Sequence, residues 1–132
     1  MMTPVISGDE VFSHVFIGAS DVKTSEAFYN SVFAALGIKN LGPFGNDWVL
    51  YGREKPAFII ARPGNGEAPS SNGMTIGFAA TTTAEVDAFH AAGLANGGTD
   101  EGQAGPRDHL PGAYAAYLRD PAGNKITAYT FI

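Results

Sequence analysis

His14-Val15-Phe16-Ile17-Gly18-Ala19 and, 61 positions further on, Thr75-Ile76-Gly77-Phe78-Ala79-Ala80 are two copies of one pattern. The same offset lays Glu26-Ala27-Phe28-Tyr29 on Asp87-Ala88-Phe89-His90 and Gly37 on Gly98. Each copy reads strand, polar cap, amphipathic helix, glycine. A repeat of this length is one supersecondary unit used twice, and neither copy can bury its apolar face alone. The duplication also serves as an internal comparison, because chemistry present in one copy and missing from the other is visible within the chain. The difference that matters most is His14 against Thr75.

Working outward, Val11 to Ala19 reads as a strand with Val15, Ile17 and Ala19 on one face and His14, Phe16 and Gly18 on the other. Asp21 to Leu36 reads as a helix with an apolar stripe of Ala27, Phe28, Phe33 and Leu36, stopped by Gly37. Short strands are expected over Lys39–Phe44, Trp48–Gly52 and Ala57–Ala61, with turns at Asn46-Asp47 and Arg53–Pro56. Arg62 to Gly73 has the composition of an exposed, mobile connection. The second copy opens with the strand Met74–Ala80. Thr82 and Glu85 then have capping-box spacing for a helix running to about Ala95. A strand at Thr99–Gln103, a loop at Ala104–Gly112 and strands at Ala113–Arg119 and Lys125–Phe131 complete it, the last two joined by the turn Asp120-Pro121-Ala122-Gly123-Asn124. The fold class expected is α+β: two tandem βαβββ units forming a curved, cup-shaped mixed sheet with the helices outside. The chain reads as a single domain over 1–132, with a first unit at about 11–62, a linker at about 63–73 and a second unit at about 74–132.

Composition narrows the function. Hydrophobic residues make up 45% of the chain and charged residues 16%, enough apolar material for a packed core. A formal charge of −5 without clustered Lys and Arg argues against nucleic acid as a partner. The absence of cysteine removes disulfides, thiolate catalysis and Cys-type zinc sites. No apolar run reaches the ~18 residues of a membrane span. Residues 1–10 read as a loose leader without the basic start and apolar segment of a secretory signal, so the expected compartment is the cytoplasm. Walker, Gly-x-Ser-x-Gly and His-Glu-x-x-His patterns are missing.

Two βαβββ units, a His in the first strand, Phe28-Tyr29 in the first helix and the closing Asp120-Pro121-Ala122-Gly123-Asn124-Lys125-Ile126 resemble the vicinal oxygen chelate superfamily. That group includes glyoxalase I, extradiol dioxygenases, and fosfomycin and bleomycin resistance proteins. The resemblance extends from about Val11 to Phe131. It implies a cup that holds a divalent metal in active members, and often a dimer. Its first-strand ligand position matches His14, the repeat mate matches Thr75, the last-strand position matches Thr127, and the remaining one falls near Phe58. A metal site needs three or four nitrogen or oxygen ligands. His14 is the only retained ligand position, so the resemblance implies a degraded metal site and no required cofactor, with a divalent metal possible only through replacement ligands such as His109 or Glu54.

Other candidates follow from strand parity and loop chemistry. Lys125, Thr127, Tyr129 and Phe131 share a face. Trp48, Tyr51, Tyr117 and Tyr129 are strand aromatics suited to walling a cup around a small organic ligand with a ring or carbonyl. Equally, these rings could fill the cup or an interface. Arg107 and His109, in the loop before Ala113, could meet an anionic ligand or stand as solvated surface. His90 reads as an exposed helix residue without function. The candidate ligand-binding set is therefore His14, Trp48, Thr75, Arg107, His109, Tyr117, Thr127 and Tyr129. Two readings stay open: a binder of a small molecule in a metal-free cup, acting as a homodimer, or a metal-dependent lyase or dioxygenase using replacement ligands.

Overall fold

Two polar caps start the two helices. In the computed structural model, which describes residues 11–132, Asp21 accepts from the Lys23 amide at 3.2 Å and opens α1 (Val22–Ala34). Thr82 accepts from the Glu85 amide at 3.1 Å and opens α2 (Thr83–Ala95). Glu85 in turn accepts from the Thr81 amide and hydroxyl, which holds its carboxyl below the usual range. At the far end of α1, Arg53 donates to the Leu36 carbonyl at 2.7 Å, a cation on the negative end of the helix dipole. The leader expected at residues 1–10 lies outside the described residues.

The strands are β1 (Val15–Gly18), β2 (Lys39–Phe44), β3 (Trp48–Gly52), β4 (Phe58–Ala61), β5 (Ile76–Ala79), β6 (Thr99–Pro106), β7 (Ala113–Arg119) and β8 (Lys125–Phe131). They form two four-stranded mixed sheets of matching order, β1-β4-β3-β2 and β5-β8-β7-β6. In each, the first strand runs parallel to the last and the other pairs are antiparallel. This is the expected α+β architecture of two βαβββ units. Several boundaries move. β1 begins at Val15 rather than Val11 because its partner among the described residues is β4, whose four residues pair with Val15–Gly18. β5 likewise starts at Ile76, α1 ends at Ala34, and β6 continues through two bulges to Pro106 instead of stopping at Gln103. Arg62–Gly73, read as a mobile connection, is mostly exposed, yet Pro63 and Pro69 pack over β1 closely enough that a Cβ on Gly18 would stand 2.7 Å from Pro69 Cβ.

Both helices lie on one side of their sheets and pack on each other. Phe28, Tyr29, Val32 and Phe33 of α1 and Val86 and Phe89 of α2 are fully buried in one core with Phe58, Ile60, Leu118 and Ile126. Phe78 of β5 meets Phe33 at 4.9 Å and Phe58 at 5.3 Å between ring centroids, so the helix-covered sides of the two sheets share this core. His90, expected on the surface, is 8% exposed and bonds Asp100 of β6 at 2.8 Å, because it occupies the inward position that Tyr29 holds in the first unit. That bond lowers the Asp100 pKa, with the Gly102 amide adding to it. Among the described residues no helix is long and apolar enough to cross a membrane.

The units are also locked by polar groups. Asp120, 4% exposed, accepts from the Tyr29 hydroxyl at 2.7 Å, from the Asn124 side-chain amide at 2.9 Å, and from the Ala122 and Asn124 backbone amides at 2.9 Å each. Asn124 also donates to the Gly18 carbonyl at 2.8 Å, reaching back to the end of β1. Gly123 makes this turn possible with φ of 93°, a left-handed conformation that a β-branched residue resists. Burial first, and Asp120 second, push the Tyr29 pKa well above the ordinary phenol value. Tyr29→Phe is therefore expected to cost about 1–3 kcal/mol of stability at pH 7 by removing a buried donor from Asp120. The native phenol keeps its proton above pH ~10 while the unfolded one loses it. Its stabilising contribution is thus complete below that pH and lost as pH rises towards the native pKa. Urea unfolding between neutral pH and pH ~11 should show a shallower alkaline loss in Tyr29→Phe than in the parent.

Candidate functional site

Each sheet has an open face turned away from its helix, and register assigns the residues on it. In the second unit Tyr117 pairs with Thr127, Ala115 with Tyr129, Ala113 with Phe131 and Arg119 with Lys125. These side chains share the open face, since paired residues point the same way. Tyr117 and Tyr129 meet edge to face at 6.0 Å, their hydroxyls are hydrogen-bonded, and Tyr129 stacks on Phe131 at 6.3 Å. Burial, and then the bond with Tyr117, push the Tyr129 pKa up to about 12, so the phenol stays neutral at physiological pH. Arg107 lies over the Tyr117 ring at 5.4 Å and Lys125 at 5.3 Å. Leu110 closes the edge of this cluster.

The open face of the first unit is more apolar. Phe16, Trp48 and Leu50 point outward with Ile59 and Ala61. Trp48 meets Phe16 at 5.0 Å and Phe44 at 5.5 Å, and these rings stay 38%, 43% and 63% exposed respectively. The connection between the units arches over this face and borders an open cleft of about 340 Å³ lined by Phe16, Gly18, Pro63, Glu67 and Pro69 among others. Tyr51, grouped by sequence with the wall aromatics, faces the other way. It pairs with Phe58, is fully buried against α1, and donates to Asn30 Oδ1 at 2.9 Å and the Glu26 carbonyl at 3.2 Å. Burial, with Glu26 second, raises its pKa far above the usual range.

The four positions that match the superfamily's ligands hold a poor donor set. His14 immediately precedes β1, is exposed, and its Nδ1 lies 2.9 Å from the Ser13 hydroxyl. Thr75 immediately precedes β5 and is exposed. Thr127 is 3% exposed and its hydroxyl donates to the Ala116 carbonyl at 2.8 Å, so it serves the sheet. The fourth position is Ile59 rather than Phe58: Phe16 pairs with Ile59 as its repeat mate Gly77 pairs with Thr127, while Phe58 turns into the core. One imidazole, two hydroxyls and an aliphatic side chain do not fit a divalent metal. His109 and Glu54 are exposed turn residues, and among the described residues no three His, Asp or Glu side chains are grouped as metal ligands. The structure thus gathers Arg107, Tyr117, Thr127 and Tyr129 on one face, sets Trp48 on another, and leaves His14, Thr75 and His109 at exposed margins. Sequence reasoning missed the arch of Pro63 and Pro69. The hint was Gly18, a residue without a side chain on an otherwise aromatic face.

No family model and no curated protein matches the chain. Solved structures do. A glyoxalase/bleomycin resistance protein from Albidiferax ferrireducens T118 is 46% identical, with a TM-score of 0.79 over 89% of this chain and 96% of that one. A glyoxalase/bleomycin resistance protein/dioxygenase family enzyme from Burkholderia phytofirmans PsJN is 19% identical, with a TM-score of 0.72 over 91% and 98%. A lactoylglutathione lyase from Agrobacterium tumefaciens is 22% identical, with a TM-score of 0.60 over 88% and 90%. The paired βαβββ fold is common to all three. The chain belongs to the glyoxalase/bleomycin resistance protein family.

If Thr127 serves the sheet, Thr127→Val should lower stability by about 1 kcal/mol through the lost hydrogen bond. Urea denaturation measures this, and an unchanged midpoint would show that the hydroxyl is free for another role.

Proposed function

We propose that the protein binds a small planar organic molecule without a metal, in a cup completed by two copies of the chain. The observation that carries this reading is the placement of the aromatic faces. The helix-covered sides of both sheets share one core, so the open faces turn away from each other within a chain. Phe16 and Trp48 of one copy would then face Tyr117, Tyr129 and Phe131 of another. A twofold dimer pairs the two kinds of face twice and leaves neither exposed. Apolar surface of this kind, rimmed by polar groups, is what an interface or ligand site presents. The name of the Albidiferax relative supports the same class, since it couples glyoxalases with a resistance protein. The donor set favours the binder over a metal-dependent lyase or dioxygenase. The cytoplasm is the compartment proposed for it.

Trp48 is the only tryptophan in the chain, so its fluorescence reports on the first unit's open face alone. Sedimentation velocity at micromolar concentration should give a dimer mass. A planar ligand that raises the melting temperature should also quench Trp48 saturably, as a ligand binding only the native state stabilises it. A monomer whose Trp48 signal responds to no stabilising ligand would overturn the reading. The position of the lost metal site can be checked independently. Thr75→His with Thr127→Glu adds two ligands to His14, which the dimer would bring from the other copy, and three arms suffice for a catalytic-type site. Calorimetry should find divalent-metal binding in the double variant and none in the parent.

A further inference from the structure

Arg107 and Lys125 bring two positive charges to one ring, and among the described residues neither has a carboxylate partner. The ion pairs among the described residues are His90–Asp100 and Arg119–Glu101. Arg107 is held in place by its own strand. Its terminal nitrogens donate to the carbonyls of Gln103 at 2.7 Å, Gly105 at 2.9 Å and Pro106 at 3.2 Å, which folds the side chain back over Tyr117. Gly102 leaves the room for this: a Cβ there would stand 3.2 Å from Tyr117 Cδ1 and 3.3 Å from Arg107 Nη2. An arginine has five N–H groups, so these three bonds leave donors unused, and the lysine ammonium has three more. The Tyr117–Tyr129 pair adds another. One phenolic proton lies between the two oxygens and the other is free to point outward. The rest of the floor, Ala115 and Phe131, is apolar.

Two cations without a carboxylate partner among the described residues, a phenol pair and an apolar floor share one open face around Tyr117, chemistry suited to an anionic group attached to a ring. Taking this face as a small-molecule site, we propose that the Arg107–Tyr117–Lys125–Tyr129 corner recognises a carboxylate on a small planar acid. The carboxylate would accept from Lys125 and the tyrosine pair, with Arg107 adding positive potential on the other flank of Tyr117, while the ring of the acid packs against Phe131. Charge-assisted hydrogen bonds to a carboxylate are the strong class.

Benzoate and its neutral counterpart benzamide separate the possibilities when titrated by calorimetry into the full-length protein. Benzoate should bind roughly tenfold tighter than benzamide, and the advantage should shrink in added salt. Lys125→Met should bring benzoate down to the benzamide level while leaving benzamide unchanged, which also shows that the variant is folded. Lys125→Gln is the second variant should the first melt early. Gly102→Ala, which displaces Arg107, should weaken benzoate in the same direction. Equal affinities for the two probes, or a benzoate advantage that survives at Lys125→Met, would overturn the anion corner and leave the small-molecule reading standing. Failure of both probes to bind at millimolar concentration would overturn both.

Discussion

The carboxyl group of Asp120 is where the two halves of this chain are made into one body. It sits in a turn of the second unit, yet its most distant donor is the hydroxyl of Tyr29 on α1. Asn124, in the same turn, reaches the end of β1. Three of the carboxyl's donors come from its own turn, and the Tyr29 hydroxyl is the fourth, the one that ties the turn to α1. The aromatic core around Phe33, Phe58 and Phe78 supplies the non-directional part of the same attachment. Hydrophobic packing holds the units together, and the Tyr29–Asp120–Asn124 group sets how they meet.

This arrangement decides what the open faces can do. Because the shared core consumes the helix-covered sides, residues on the outward faces are free to vary without disturbing it. The register makes the variation readable. Leu50 and Tyr117 occupy the same place in the two units, as do Trp48 and Ala115, and Ile59 and Thr127. The first unit carries bulk without polarity on this face. The second carries phenols with flanking cations. A ligand held between faces of these two kinds would meet an apolar wall on one side and hydrogen-bonding groups on the other.

Much of this was legible in the sequence, and the limits have physical causes. The 61-residue repeat revealed both units, because duplicated strand–helix patterns leave local traces. Parity placed Lys125, Thr127, Tyr129 and Phe131 together, since the strand period is two. By that same parity Trp48 and Tyr51, three positions apart on β3, fall on opposite faces, so only one of them can wall a cup, and it is Trp48. His90 looked like a surface residue because a polar side chain on a helix normally is one. Its burial depends on Asp100, a partner that α2 meets only through folding. The ends of β1 and β5 were misjudged because strand length depends on the partner strand. The apposition of the helix-covered faces is a long-range fact with no local signature at all.

The connection between the units has an exposed, glycine- and proline-rich backbone, while the attachments that join the halves lie elsewhere, in the α1–α2 contact and at Asp120. Covalent continuity across residues 63–73 is therefore not what keeps the molecule whole. A nick there would leave two fragments that still share one interior. The same separation of connection from cohesion frees the joining segment to lengthen, shorten or change composition, so that what arches over Phe16 can be remodelled without renegotiating the fold beneath it.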